Sequence, residues 1–193
     1  MSVKVSFSKE QMLYSGKELR PHFLLSKFAM KGTSVLAFCG PCGVKTEHLV
    51  DWEDRLENDY IEARLMVHFL GEFFGASLRE AVVMQRLFMS IAAEQINLVL
   101  EDTNKRSFIR RIGDDLFVGD KKLSVSIVTA SPVSQLLHVG INIDPLGAPV
   151  AAIGLEEMGL GSQIEIVVER ILDSFKKEYD SIEWACVKVR PVI

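Results

Sequence analysis

The sequence predicts an α+β fold in which helices flank a mixed, largely antiparallel sheet. Two segments, near residues 77–100 and 162–179, place apolar residues at helical spacing, whereas most other apolar segments alternate with a period of two. Four alternating segments follow one another between residues 108 and 143 and are separated by short turns, as in antiparallel strands. The 193 residues carry no internal repeat and no linker, so we expect one domain over residues 1–193.

The first half of the chain predicts two strands and then a helix. Residues 3–7 alternate with a period of two, and residues 34–38 form a continuous apolar run that is typical of a buried strand. Residues 47–75 begin with a dense acidic run and continue with apolar residues spaced by four. These apolar residues would share one face of a helix: Ile61, Leu65, Phe69 and Phe73.

The second half predicts two capped helices and five strands. Ser77 and Glu80 form a capping box before a helix that ends near residue 100, and Ser162 and Glu165 repeat the pattern before a second helix. The expected inward stripes are Ala81, Met84, Phe88, Ile91, Gln95 and Leu98 in the first helix and Ile164, Val168, Ile171 and Phe175 in the second. The expected strands cover residues 108–112, 116–118, 123–128 and 136–143, and a closing strand over 181–190 that would bury Cys186.

Composition and charge limit the class of protein. Apolar residues make up 48% of the chain and the mean hydropathy is +0.19, which argues against disorder. A net charge of −4 argues against nucleic acid or an anionic membrane as the main partner. The first residues lack the apolar core of a signal peptide, and polar residues interrupt every long apolar stretch. Three cysteines, an odd number, suit a reducing compartment, so we expect a cytoplasmic protein.

The sequence Cys39-Gly40-Pro41-Cys42 raises the alternative of a dithiol oxidoreductase of the thioredoxin kind. Such chemistry needs a thiol that is acidified at the start of a long helix, and no helical pattern directly follows Cys42. No proline occurs between Pro41 and Pro132 to supply the proline that thioredoxins set against the dithiol. The other interpretation is a tight loop after a strand, whose glycines permit close approach of the backbone to a ligand.

Residues 109–124 place two acidic turns and a lysine on a predicted hairpin. Asp114 and Asp115 follow one strand, and Lys122 starts a later strand after the Gly119-Asp120 turn. Asp115 and Lys122 would therefore lie on neighbouring strands, close to cross-strand contact. Such a group can bind a phosphate or a carboxylate, with or without Mg²⁺. The alternative is that the aspartates only form turns and that the lysines are solvent-exposed residues at the edge of the sheet.

This hairpin resembles the central part of the biotin and lipoate protein ligases, in which an aspartate turn precedes a Gly-x-Lys segment. Asp115 and Lys122 fall on the aspartate and the lysine of that motif, and residues 137–143 resemble the strand that ends in Gly-Ile-Asn. The resemblance implies a fold like that of the class II synthetases and biotin ligases. It also implies that Lys122 is a catalytic residue that contacts an acyl-adenylate, that the substrate is a small carboxylic acid, and that ATP and Mg²⁺ are the cofactors.

The whole chain resembles the domain of unknown function 366 (DUF366) family of small prokaryotic proteins. The supporting segments are residues 38–44, 50–54, 66–69 and 113–127. In this resemblance residues 39–48 form the ligand-facing loop of a ligase-like pocket. The implied ligand-binding residues are Gly40, Cys42, Gly43, Asp114, Asp115, His138, Gly140 and Asn142.

The chain also departs from the ligases. The loop that carries arginines in the ligases contains one lysine and no arginine here, Asp114 stands where they have asparagine, and Val125 replaces a glycine. Two function classes therefore stay open. One is an enzyme that activates a small carboxylic acid with ATP, and the other is a non-catalytic binder of a small molecule or nucleotide on the same scaffold; a homodimer is compatible with both.

Other polar residues have competing interpretations. The acidic run from Glu47 to Glu62 could hold a divalent cation with His48, but a solvated face at the start of a helix is the commoner explanation, so no metal site is assigned. His68 lies in an apolar stretch, which favours a hydrogen-bonded core residue. His138 shares a strand face with Gly140 and Asn142, and the lack of bulk on that face suits either a pocket or a core histidine.

Overall fold

The computed structural model describes residues 2–192, which fold into eight strands and four α-helices. The strands are β1 (Lys4–Ser8), β2 (Ser34–Val44), β3 (Ile61–Phe73), β4 (Arg110–Ile112), β5 (Asp115–Val118), β6 (Lys121–Lys122), β7 (Ser124–Ala130) and β8 (Gln135–Asp144). The helices are α1 (Phe23–Phe28), α2 (Trp52–Glu57), α3 (Leu78–Asp102) and α4 (Ile164–Lys188). None of these helices is long and apolar enough to cross a membrane.

A five-stranded sheet in the order β1-β2-β3-β8-β7 forms the centre of the fold. β1 and β2 pair in parallel, and every other pair in this sheet is antiparallel. A second antiparallel sheet, in the order β4-β5-β6, contains the predicted acidic hairpin. This architecture confirms the predicted α+β class and the mixed, largely antiparallel sheet.

Each face of the large sheet buries its own hydrophobic core. On one face, Phe69 and Phe73 pack with Phe88 of α3 and Phe175 of α4. On the other face, side chains of β2 and β3 pack against α1 and the segment before it. The buried members of this second core are Tyr14, Phe23, Leu24, Leu36, Phe38, Cys42, Val44, Leu49, Ala63, Met66 and Leu70. The central strands are therefore covered on both sides, whereas β7 lies at an edge.

The predicted helix over residues 47–75 is wrong in its apolar part. A 3₁₀ turn (Thr46–His48) and α2 occupy its acidic start, and residues from Ile61 onward form β3. A spacing of four is an even number, so Leu65, Phe69 and Phe73 share one face of a strand as well as one face of a helix. Ile61 instead packs against the second core, and the pairing of β3 is irregular between Leu65 and Met66. From Met66 to Phe73 every residue of β3 is buried because the strand lies between the two cores, which removes the alternation that would have indicated a strand.

The start of α3 forms as predicted. The Ser77 hydroxyl accepts a hydrogen bond from the Glu80 N–H (3.2 Å), and the Glu80 carboxylate accepts one from the Ser77 N–H (2.6 Å). Along the predicted stripe Ala81, Phe88 and Ile91 are buried, whereas Leu98 is exposed. The inward stripe is displaced by one position towards residues such as Ile96 and Val99.

Two predictions for the C-terminal region are wrong. No side chain caps α4, which follows a 3₁₀ turn (Gly161–Gln163), so the predicted second capping box does not form. The predicted strand over residues 181–190 is instead the last part of α4 and the residues after it, and Cys186 is exposed on that helix. Val168, Ile171 and Phe175 hold the helix against the core, and the helix then extends past the core into solvent.

Candidate functional site

A cavity of about 370 Å³ lies at the β7 edge of the large sheet. β7 and β8 contribute one part of its lining, the β5–β6 hairpin another, and residues 49–62 a third. Residues 148–152 and Met66 of β3 contribute the rest. These segments are far apart in the sequence, and they meet because β8 pairs with both β3 and β7.

Lys122 and Asp115 form an ion pair at this cavity. The register of the hairpin sets Phe117 opposite Lys122, and the Lys122 Nζ lies 2.9 Å from the Asp115 Oδ2. Both side chains are about one-third exposed or less. Burial raises the pKa of Asp115, although the Lys122 ammonium acts in the opposite direction. The predicted cross-strand contact is confirmed.

The main chain of Lys122 is held by the segment that closes the cavity. The Lys122 N–H donates to the Ala151 carbonyl (2.9 Å), and the Ile153 N–H donates to the Lys122 carbonyl (3.0 Å). The neighbouring Lys121 points away and pairs with Glu157, with 2.8 Å between Nζ and Oε1. Because the side chains of adjacent strand residues point to opposite faces, Lys122 borders the cavity and Lys121 lies on the other surface.

Asp114 is held by α3. Its carboxylate accepts a hydrogen bond from the Gln85 Nε2 (3.1 Å) and lies 3.3 Å from the Arg86 guanidinium. Gln85 also donates to the Ser126 hydroxyl (2.7 Å), which in turn donates to the Asp114 carbonyl (2.8 Å). The sequence did not indicate this cluster. The available signal was Gln85 itself, a buried polar residue among the inward positions of a helix.

A buried histidine pair lies behind the cavity. The His68 Nε2 lies 3.2 Å from the Gly40 carbonyl oxygen, and the His68 Nδ1 lies 3.1 Å from the His138 Nε2. A carbonyl only accepts, so His68 carries its proton on Nε2, and its Nδ1 accepts from the His138 Nε2–H. Burial lowers the pKa of His68 to about 4 and lowers the pKa of His138 as well. The prediction that His68 is a hydrogen-bonded core residue is confirmed.

His138 joins this pair to the cavity. Its side chain borders the cavity and is 2% exposed. With its proton on Nε2, neutral His138 keeps a lone pair on Nδ1. The Tyr14 ring stacks on His138 with 3.7 Å between ring centroids, which fixes the plane of the imidazole. Asn142, two residues after Gly140 on the same strand face, also lines the cavity.

Four of the seven residues of the acidic run line the same cavity. Asp51, Asp54, Asp59 and Glu62 border it, whereas Glu53 and Glu57 are exposed on α2. Burial raises the pKa of Asp54, and the charges of Asp51 and Asp59 raise it further. Asp51 and Asp54 are half-buried, whereas Asp59 and Glu62 follow α2 and are exposed, so the predicted solvated helix face describes Glu53 and Glu57 only. Among the described residues, no group of three or more His, Cys, Asp or Glu side chains is placed to hold a metal ion.

The Cys39–Cys42 segment is a strand and not a loop, which corrects the predicted ligand-facing loop. It belongs to β2, and residues 12–14 run beside it, with hydrogen bonds from the Met12 N–H to the Cys39 carbonyl (3.1 Å) and from the Tyr14 N–H to the Pro41 carbonyl (3.0 Å). The turn-forming Gly-Pro pair is accommodated by an irregularity in pairing between Gly40 and Cys42.

Four of the predicted ligand-binding residues lie outside the cavity lining. Cys42 is buried in the second core, and Gly40 and Gly43 lie in β2 beneath residues 12–14. Gly140 faces Met66, whose Cε would lie 2.8 Å from an added Cβ. Close packing therefore explains why positions 40 and 140 hold glycine. The other predicted residues, Asp114, Asp115, Lys122, His138 and Asn142, do line the cavity, and their roles in ligand binding stay predictions.

The two thiols of this strand should be inert towards alkylation and redox exchange. Burial raises the pKa of Cys42 to about 12 and also raises the pKa of Cys39, and only a thiolate attacks. With iodoacetamide at neutral pH, peptide mapping should show Cys186, which is exposed, modified first and Cys42 unmodified in the folded protein. Insulin reduction that requires Cys39 and Cys42, or their modification as fast as Cys186, would contradict this prediction.

Comparison with known proteins identifies close relatives. The family described as a domain of unknown function (DUF366) matches residues 3–190. An uncharacterised protein of Methanocaldococcus jannaschii is 35% identical over 197 residues, which cover 99% of this chain and 86% of that protein. The structure of a protein of unknown function from Pyrococcus horikoshi superposes with a TM-score of 0.87 at 32% identity, with 100% of both chains covered.

More distant structures share the fold. A biotin protein ligase from Aquifex aeolicus superposes with a TM-score of 0.53 at 14% identity, covering 94% of this chain and 72% of that chain. A T. acidophilum protein solved with bound lipoic acid gives a TM-score of 0.55 at 10% identity, covering 91% and 86%. At these identities the likeness shows the fold alone, and it confirms the predicted ligase-like scaffold. Because the family match spans nearly the whole chain, this protein belongs to the DUF366 family.

Proposed function

We propose that the protein binds a small organic ligand through a carboxylate in the Lys122 cavity. The observation that carries the proposal is Lys122, which is the one Lys or Arg among the described residues that line the cavity. Its ammonium is partly buried beside Asp115, so a carboxylate that reaches it forms a charge-assisted hydrogen bond away from bulk water. Lysine suits this role because it is a compact charge that meets an anion as a point.

The remaining lining suits the body of an organic molecule. Apolar side chains border the same space: Leu49, Ile61, Met66, Val125, Ile127 and Pro149. The volume of about 370 Å³ falls within the range of about 300–1,000 Å³ that is usual for small-molecule sites. His138 and Asn142 supply polar groups that can orient a ligand.

ATP-dependent activation of the bound acid is the second candidate, and the ligase-like fold together with the positions of Asp115 and Lys122 favours it. The lining itself does not fit a nucleoside triphosphate. Six carboxylates border the cavity, namely Asp51, Asp54, Asp59, Glu62, Asp114 and Asp115, against the single ammonium of Lys122. A triphosphate carries several negative charges, and repulsion from six carboxylates would weaken its binding. We therefore place acid binding first.

Replacing Lys122 with alanine should weaken binding of a carboxylic acid by about ten- to a hundred-fold, because a charge-assisted hydrogen bond contributes about 1.5–3 kcal/mol. Calorimetric titration with butanoate, hexanoate, octanoate and lipoate provides the measurement. Lys121→Ala is the matched control, since Lys121 pairs with Glu157 outside the cavity, and this variant should bind as the wild type does.

Two outcomes would overturn this proposal. If no compound that carries a carboxylate binds the wild type, the cavity is not a carboxylate site. If an acid binds equally well to both alanine variants, Lys122 has no part in recognition. A pyrophosphate-release assay with ATP, Mg²⁺ and the bound acid separates the two candidates: release that depends on the acid and on Lys122 would replace the binder with the activating enzyme.

A further inference from the structure

The charges of the cavity are arranged unevenly. Asp114 and Asp115 each have a cationic partner, which is Arg86 for the first and Lys122 for the second. The four carboxylates of residues 51–62, namely Asp51, Asp54, Asp59 and Glu62, have none: no described Lys, Arg or His side chain forms an ion pair with them. We refer to these four residues as the acidic wall.

The basic residues nearest in sequence to the acidic wall are engaged elsewhere. The Arg55 guanidinium donates to the Leu49 carbonyl (3.2 Å) and stacks over the Trp52 ring, and Arg64 pairs with Asp144. The negative charge of the acidic wall is therefore left for solvent or for a ligand to balance. Lys122 and the acidic wall border the same cavity, and the Lys122 ammonium partly offsets the rise in the pKa of Asp54 that burial and the neighbouring carboxylates cause.

The buried side of the cavity adds a neutral histidine, His138, and no further cation. His138 is neutral, and the hydrogen-bond chain through His68 to Gly40 leaves the His138 Nδ1 with its lone pair. A group that carries several N–H donors satisfies such surroundings, whereas a second anionic group does not. This observation is independent of the acidic wall and favours the same chemistry.

We propose, on the basis of the proposed function, that the ligand is an aminocarboxylate: its carboxylate binds Lys122 and its ammonium binds the acidic wall. A molecule with both charges neutralises each side of the cavity, whereas a plain carboxylic acid leaves the acidic wall without a partner. The proposal also explains the poor fit of a nucleoside triphosphate, whose charges would all be of the wrong sign for the acidic wall.

Calorimetric titration with matched probes tests the inference. The probes are 4-aminobutanoate, 6-aminohexanoate and 8-aminooctanoate, each compared with the acid and with the primary amine of the same chain length. The best aminocarboxylate should bind the wild type about ten-fold or more tightly than its matched acid and its matched amine, since a charge-assisted contact contributes at least that factor.

Asp54→Asn is the informative variant. Asp54 borders the cavity and does not cap α2, whereas the Asp51 carboxylate accepts the helix-capping hydrogen bond from the Glu53 N–H (2.8 Å). The variant should lose about ten-fold in affinity for the aminocarboxylate and keep its affinity for the plain acid. Glu57→Gln removes a charge of the same kind from the exposed side of α2 and should bind as the wild type does.

The outcomes separate the two proposals. If plain acids and aminocarboxylates bind equally, or if Asp54→Asn binds the aminocarboxylate as the wild type does, this inference fails and the carboxylate site stands. If amines bind as tightly as aminocarboxylates and Lys122→Ala has no effect, the carboxylate site fails. If no probe of either kind binds, both proposals fail.

Competition with a metal ion is a further test. Displacement of the amine by millimolar Mg²⁺ or Mn²⁺, with tighter binding of the metal, would show that the acidic wall binds a divalent cation in place of an ammonium and would also overturn the inference.

Discussion

Gly40→Ala should lower the free energy of unfolding by about 3 kcal/mol, because the added methyl group overpacks a rigid contact. A Cβ at this position would overlap the Met12 carbonyl oxygen and lie 2.7 Å from the Met12 carbonyl carbon. Both atoms belong to main chain that is held to β2 by the Met12-to-Cys39 hydrogen bond, so they cannot move aside without breaking it. In a chain of this length the loss corresponds to a fall in Tm of about 6–12 °C, which thermal unfolding measures directly.

Gly43→Ala is the matched control for this prediction. Gly43 lies in the same strand, and a Cβ there would meet only the Leu13 Cδ1 at 3.8 Å. Both substitutions change backbone entropy in the same way, so the difference between them reports the overlap with Met12. Equal Tm values for the two variants would show that residues 12–14 do not hold their place beside β2, and the structural explanation of Gly40 would then be wrong.

Acid should destabilise the protein through its buried histidine pair. The pKa of His68 is lowered from 6.5 to about 4, so the folded state favours the neutral ring. A lowered pKa means that this stability is fully present above pH 6.5 and is lost as the pH falls towards 4. The loss over this window is about 3 kcal/mol from His68, and His138, whose pKa is also lowered, contributes in the same direction. Urea unfolding at a series of pH values provides the measurement.

His68→Gln isolates this effect. A glutamine amide can still donate to the Gly40 carbonyl and accept from His138, but it does not titrate. The variant should therefore lose less stability than the wild type between pH 6.5 and 4, whatever its stability at neutral pH. Parallel curves for the wild type and His68→Gln would refute the assignment.

The sequence predicted those parts of the fold in which local pattern and tertiary environment agree. The capping box at Ser77 and the alternation of β7 and β8 each follow from residues that are close together, and each appears in the structure. β3 was predicted as a helix because its burial on both faces depends on segments that lie far away in the chain. Residues 181–190 alternate like a strand, yet they belong to no described sheet, and α4 continues to Lys188 instead.

In the candidate site, too, contacts between residues close in the chain were predictable and contacts between distant segments were not. Asp115 and Lys122 belong to one hairpin, so their seven-residue interval already brought them together. Asp54 lies on a helix that precedes the hairpin by about sixty residues in the chain, and only the pairing of β3 with β8 brings α2 to the same cavity. The Gly-Pro pair at residues 40–41 has the composition of a turn, and its place inside β2 depends on residues 12–14, which no local pattern connects to it.

The attachment of Lys122 to the cavity rim has an evolutionary consequence. The two hydrogen bonds that join residue 122 to Ala151 and Ile153 use main-chain groups only. Any residue except proline can form them, so a substitution at this position leaves the frame intact. Proteins that share this frame can therefore exchange the lysine for a neutral or acidic side chain and accept a ligand of different charge, without first acquiring a new fold. Selectivity can diverge here by single codon changes, while the surrounding architecture is inherited unchanged.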